Sequence, residues 1–82
     1  MRKSRWEDMR YIEPIDCWVV IWEGQMGYKV RCGDWFDLHL GNGRKLTCRM
    51  ELGSQWYVVI GVNDTRLYLK PNETYQVKII YP

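Results

Sequence analysis

Tyr28-Lys29-Val30-Arg31-Cys32, Gly33-Asp34, Trp35-Phe36-Asp37-Leu38-His39-Leu40, Gly41-Asn42-Gly43, Arg44-Lys45-Leu46-Thr47-Cys48-Arg49-Met50-Glu51, Leu52-Gly53-Ser54-Gln55 and Trp56-Tyr57-Val58-Val59 follow one another through the middle of the chain. Four short runs in this stretch alternate with period two, and glycine-bearing punctuation separates them. Such a pattern specifies consecutive antiparallel strands joined by tight turns. Asn42-Gly43 supplies residues that accept positive φ, as a two-residue hairpin requires. The run after it alternates most cleanly, with Leu46, Cys48 and Met50 on one side and Lys45, Thr47, Arg49 and Glu51 on the other. A one-residue slip there would bury four polar side chains, so its register is strongly specified.

Working outward, Cys17 to Glu23 is the most apolar run, with Cys17, Val19 and Ile21 on one face and Trp18, Val20 and Trp22 on the other. Both faces call for cover. The inner face is assigned to Val19 and Ile21, which leaves Trp18 and Trp22 outside. Gly24 to Gly27 reads as a turn, after which Tyr28, Val30 and Cys32 face inward while Lys29 and Arg31 face solvent. Downstream, Trp56, Val58 and Ile60 enter the core, followed by Leu67 and Leu69, and then by Tyr75, Val77 and Ile79 in a last strand that runs to Tyr81. Residues 1–14 read as a basic arm or a short helix capped by Ser4 and Glu7, closed by Pro14. The expected fold is all-β: a small, SH3-like antiparallel meander barrel of six to seven short strands over residues 17–81, in a single domain of 82 residues. Its core should include Val19, Ile21, Val30, Phe36, Leu38, Leu46, Met50, Trp56, Val58, Leu67, Val77 and Ile79.

The family pattern lies in Cys32-Gly33-Asp34, Cys48-Arg49-Met50-Glu51, Trp56-Tyr57-Val58-Val59 and Val77-Lys78-Ile79. Together these resemble a family of small domains that carry Cys-Gly-Asp, Arg-Ile-Glu, Trp-Tyr-Leu and a closing Val-Arg-Ile, and that occur in Gram-positive phages and conjugative elements. Met50, Val58 and Lys78 replace the family's Ile, Leu and Arg. The resemblance implies an accessory protein of a mobile element.

Chemistry in the chain is sparse. Asp37 and His39 share a strand face and could in principle act as an acid/base pair, but no nucleophile or second carboxylate stands beside them. Cys17, Cys32, Cys48 and His39 are zinc-ligand types, yet the thiols are read as inward and the imidazole as outward. No enzyme activity, metal or cofactor is expected. Three cysteines at wide spacing suit a reducing, cytoplasmic setting, and no apolar run approaches the roughly 20 residues of a membrane span. The net charge of +2 is too small to define a partner.

Five Trp and six Tyr stand against a single Phe. Trp and Tyr are favoured where a ring is half buried or meets a partner. The outward set of Trp18, Trp22, Trp35, Tyr57 and Tyr68, on a surface that also carries Lys29, Arg31, Lys45, Arg49 and Lys78, marks a binding surface for a partner or for a second copy of the chain. With the mobile-element accessory role that the resemblance implies, the expected function is a non-enzymatic binding module that acts stoichiometrically on a host protein, for example as an inhibitor of a host defence system. The alternative is a sponge for a nucleotide signal, or a single-stranded nucleic-acid binder, which would use the same rings.

Overall fold

A computed structural model describes residues 5–61 and 63–81. Its strands are β1 (Glu7–Ile12), β2 (Cys17–Trp22), β3 (Gln25–Val30), β4 (Trp35–Gly41), β5 (Arg44–Leu52), β6 (Trp56–Ile60), β7 (Thr65–Tyr68) and β8 (Tyr75–Ile80), with a 3₁₀ turn at Glu13–Ile15. All pair antiparallel in one sheet of order β3-β2-β1-β8-β4-β5-β6-β7. The all-β meander is therefore present, with eight strands among the described residues rather than six or seven.

Two hydrogen bonds show how strongly this sheet curls. Trp56 Nε1 in β6 donates to Asp16 Oδ1, at the entry to β2, over 3.3 Å, and Tyr28 Oη in β3 donates to Asp34 Oδ2, at the start of β4, over 2.7 Å. Both link strands several places apart in the sheet order. The edges β3 and β7 do not pair with each other, so the barrel is an open one.

The concave face holds Met9, Trp18, Val20, Val30, Phe36, Leu38, Cys48, Met50, Val58, Leu69 and Val77 as one buried cluster. Several expectations fail here. Glu7–Ile12 is a strand, not an arm or helix, because Met9 and Tyr11 pack inward between β2 and β8; Ser4 lies outside the described residues. This insertion also reverses β2. Trp18 is flanked by Tyr11 and Val30, and Val20 by Met9 and Tyr28, whereas Val19 lies between Arg10 and Lys29. The face with apolar neighbours on both sides becomes the core, so Trp18 and Trp22 point inward and Val19 and Ile21 point out. Val19 is still buried, in register between Arg10 and Lys29 of the neighbouring strands.

Smaller departures have local causes. The register shifts between His39 and Gly41, which leaves Leu40 unpaired and exposed. Leu67 pairs with inward Val58 but stays exposed, because no described strand pairs with the outer edge of β7. Cys32 falls past the end of β3 and is exposed, and Cys17 sits buried on the convex side of β2, so the three thiols do not share an interior. The first hairpin turns at Glu23-Gly24, both at positive φ, leaving Gly27 within β3 instead of in the turn. The β4–β5 hairpin turns at Asn42 and Gly43 as expected, with φ of 51° and 73°.

Candidate interaction face

Antiparallel sheets often leave one face to water, and that face is then normally polar. On the convex side of β8, β4, β5, β6 and β7, alternation and register place a row running Ile80, Trp35, Arg49, Val59 and Arg66 from strand to strand. A neighbouring row runs Glu51, Tyr57 and Tyr68, and another Lys78, Asp37 and Thr47. Ile80 and Trp35 are each 46% exposed and Tyr68 is 49% exposed. No described helix or second sheet lies over them.

Cations sit on rings across this face. The Arg49 guanidinium lies 5.6 Å from the Trp35 centroid, the Arg66 guanidinium 4.6 Å from Tyr57, and the Lys78 ammonium 4.6 Å from Trp6. Tyr57 and Tyr68 are tilted against each other with centroids 5.6 Å apart. Arg49 Nε also donates to Glu51 Oε2 over 2.6 Å, which fixes the guanidinium beside the indole. Each such contact is worth about 0.5–1 kcal/mol at exposed sites, a bias of a few-fold toward the conformation in which cation and ring meet.

Asp37 forms the polar centre. Its carboxylate accepts from Thr47 Oγ1 over 2.6 Å and from Lys45 Nζ over 3.2 Å. The Thr47 hydrogen bond, aided by Lys45, holds its carboxyl below the ordinary carboxylate range. His39 is engaged elsewhere: Nδ1 accepts the Gly41 N–H over 3.2 Å, and the ring meets Trp6 edge-on at 4.8 Å. Asp37 and His39 thus serve separate contacts on one strand. No group of three or more His, Cys, Asp or Glu side chains placed to hold a metal ion occurs among the described residues.

Of the expected surface residues, Trp35, Arg49, Tyr57 and Tyr68 come together on this face. Trp18 and Trp22 do not, since they line the interior. Lys29 lies on β3, at the opposite end of the sheet order from β7, and Arg31 lies past β3, where its N–H bonds Asp34 Oδ2 over 2.8 Å. Lys78, expected on the outer surface, is on this face beside Asp37, whereas Trp6, Arg66 and Ile80 are members that sequence reasoning missed. Arg66 was within reach, because β6 and β7 form a hairpin; Trp6 beside Lys78 depends on the β1–β8 pairing, which joins the two ends of the chain.

No helix among the described residues is long and apolar enough to cross a membrane. Comparison with curated proteins and with solved structures returns no significant match. Residues 7–79 match a family model from the start of β1 almost to the end of β8, so the whole curled sheet is the family's unit, and the chain belongs to DUF5348, a domain of unknown function.

Proposed function

We propose that this chain is a non-enzymatic binding module that docks a partner protein on the convex face built by Trp35, Arg49, Tyr57, Arg66, Tyr68 and Ile80. The observation that carries the reading is the exposure of Trp35, Tyr68 and Ile80 on the uncovered face of inner and edge strands, held among side-chain cations. Exposed aromatics with arginine are the composition of interface hot spots. A protein is favoured over a nucleobase because Trp35, Tyr57 and Trp6 each already carry a cation against the ring, where a base would have to stack. The cations suit an acidic rim on the partner. With the resemblance to domains of phages and conjugative elements, this becomes a cytoplasmic accessory protein that binds a host protein in fixed stoichiometry.

Co-purification from the native host tests it. The wild-type chain should bring down one partner in stoichiometric amount, and Trp35→Ala, Arg49→Ala and Tyr57→Ala should each lose it while leaving the melting temperature within a few degrees. A bound fraction that absorbs strongly near 260 nm and contains no second protein would replace this reading with the nucleotide one. Retention of the partner by all three variants would move the interface elsewhere.

A further inference from the structure

Where β1 ends, the sheet curls over a cleft of about 590 Å³ walled by Tyr11, Asp16, Trp56, Tyr68, Leu69 and Lys70, of which Tyr68 also borders the docking face. The volume is that of a small-molecule site. Asp16 organises its mouth. Oδ1 accepts both Tyr11 Oη, over 2.6 Å, and Trp56 Nε1, over 3.3 Å, so one oxygen anchors the polar edges of two rings from opposite sides of the curl. Oδ2 receives no hydrogen bond from the described residues, and Asp16 lies exposed. The Tyr11 and Trp56 bonds hold the carboxyl below its ordinary range, and the Tyr11 phenol is pushed up by the same contact, so at neutral pH the pair is a carboxylate and a neutral donor.

We propose that this cleft binds an organic monocation, an ammonium or guanidinium head that sits between the Tyr11 and Trp56 rings and the Oδ2 oxygen of Asp16. Aromatic rings attract such a head through their negative faces, and desolvation strengthens the attraction. The carboxylate adds the one full negative charge among the lining residues and selects a cation over a neutral molecule of equal shape. Lys70, the single cation of the lining, opposes it, and this gives the site a charge signature that an apolar hollow would lack. The proposal does not rest on the reading of the convex face, since the head is held by Tyr11, Trp56 and Asp16, none of which belongs to that face.

The test is a titration of the full ¹⁵N-labelled chain that follows the Trp56 indole N–H, assigned by its loss in Trp56→Phe. The probes are choline, arginine amide and the neutral choline isostere 3,3-dimethylbutan-1-ol. The cations should shift that resonance saturably, and the alcohol should bind at least about fivefold more weakly. Asp16→Asn should weaken choline by a similar factor without disturbing the fold, since Asn accepts the left-handed conformation of this residue, φ 47°, and its amide oxygen can keep both hydrogen bonds. Lys70→Gln should tighten binding. A pentapeptide with a central arginine that binds more tightly than arginine amide assigns the head to a polypeptide, and equal binding assigns it to a small molecule. Equal affinity for alcohol and choline overturns the proposal, as does wild-type affinity in Asp16→Asn. So does the lack of a saturable shift up to about 100 mM of either cation, which is weaker than the millimolar range of any useful site.

Discussion

Gly27 is the most sharply constrained of the glycines. The register between β2 and β3 shifts so that Val20 pairs with Tyr28 and Ile21 with Met26, leaving Gly27 as the extra residue of a bulge. The Trp22 ring fills the space where its side chain would be. A Cβ built on Gly27 would lie 2.2 Å from Trp22 Cδ2, 2.4 Å from Cγ and 2.6 Å from Cε3. These atoms are close to the indole's own attachment, so a small rotation of the ring tip relieves nothing. In Gly27→Ala the ring must retreat by at least about 1.2 Å to reach ordinary contact at 3.4 Å. Overpacking of this kind costs about 1–3 kcal/mol. Against it stands about 0.4–1 kcal/mol from the reduced freedom of the unfolded chain, because Gly27 is not at positive φ and its backbone accepts alanine. The net expectation is a loss of about 1–2 kcal/mol, seen in urea denaturation as a midpoint lower by about 1 M for a domain of this size. A double-mutant cycle isolates the cause. With Trp22→Leu in place the ring is gone, and Gly27→Ala should become neutral or slightly stabilising, a coupling of at least about 1 kcal/mol. Equal cost in both backgrounds would refute the reasoning, and so would a Gly27→Ala protein as stable as the wild type.

The thiols should differ in reactivity by position. Burial pushes the Cys48 thiol up to about 12, whereas Cys32 is exposed, so a thiol reagent at pH 8 should modify Cys32 promptly and Cys48 only after denaturant is added; equal rates would contradict the buried placement. Asp37 should contribute to an acid limb of stability. Its carboxyl is held below the ordinary value of 3.8, so its contribution is present in full above about pH 4 and drains away as the pH falls through the depressed value. Asp37→Asn should therefore be less stable than wild type at pH 7 and converge with it in acid, as measured by melting temperature against pH; a constant gap would assign the loss to packing instead.

Much of the fold was legible because most strands have only one face that can be buried. In β5, Leu46, Cys48 and Met50 oppose four polar residues, and the structure turns the apolar side in. The same argument placed Trp35 and Arg49 outside on the β4–β5 hairpin and Tyr57 outside on β6, so part of the candidate face could be read in advance. These are local relations, fixed by alternation and by a turn whose residues tolerate its φ values.

What the sequence by itself determined, then, is the all-β class, the β4–β5 and β5–β6 hairpins and the facing of strands such as β5 that have one polar side. The tertiary structure alone decided the facing of β2. Cys17 to Trp22 is apolar on both faces, so alternation offered two equal answers for Trp18 and Val19. The answer came from β1, whose Met9 and Tyr11 lie beside Val20 and Trp18 while its Arg10 lies beside Val19. Likewise Trp6 meets Lys78 and His39 only because β8 inserts between β1 and β4. Pairings between residues some seventy positions apart close a long loop of chain for contacts that no neighbouring residue announces. Which strands become neighbours is therefore settled by the total apolar surface the curled sheet can bury, a property of the whole chain rather than of any stretch of it.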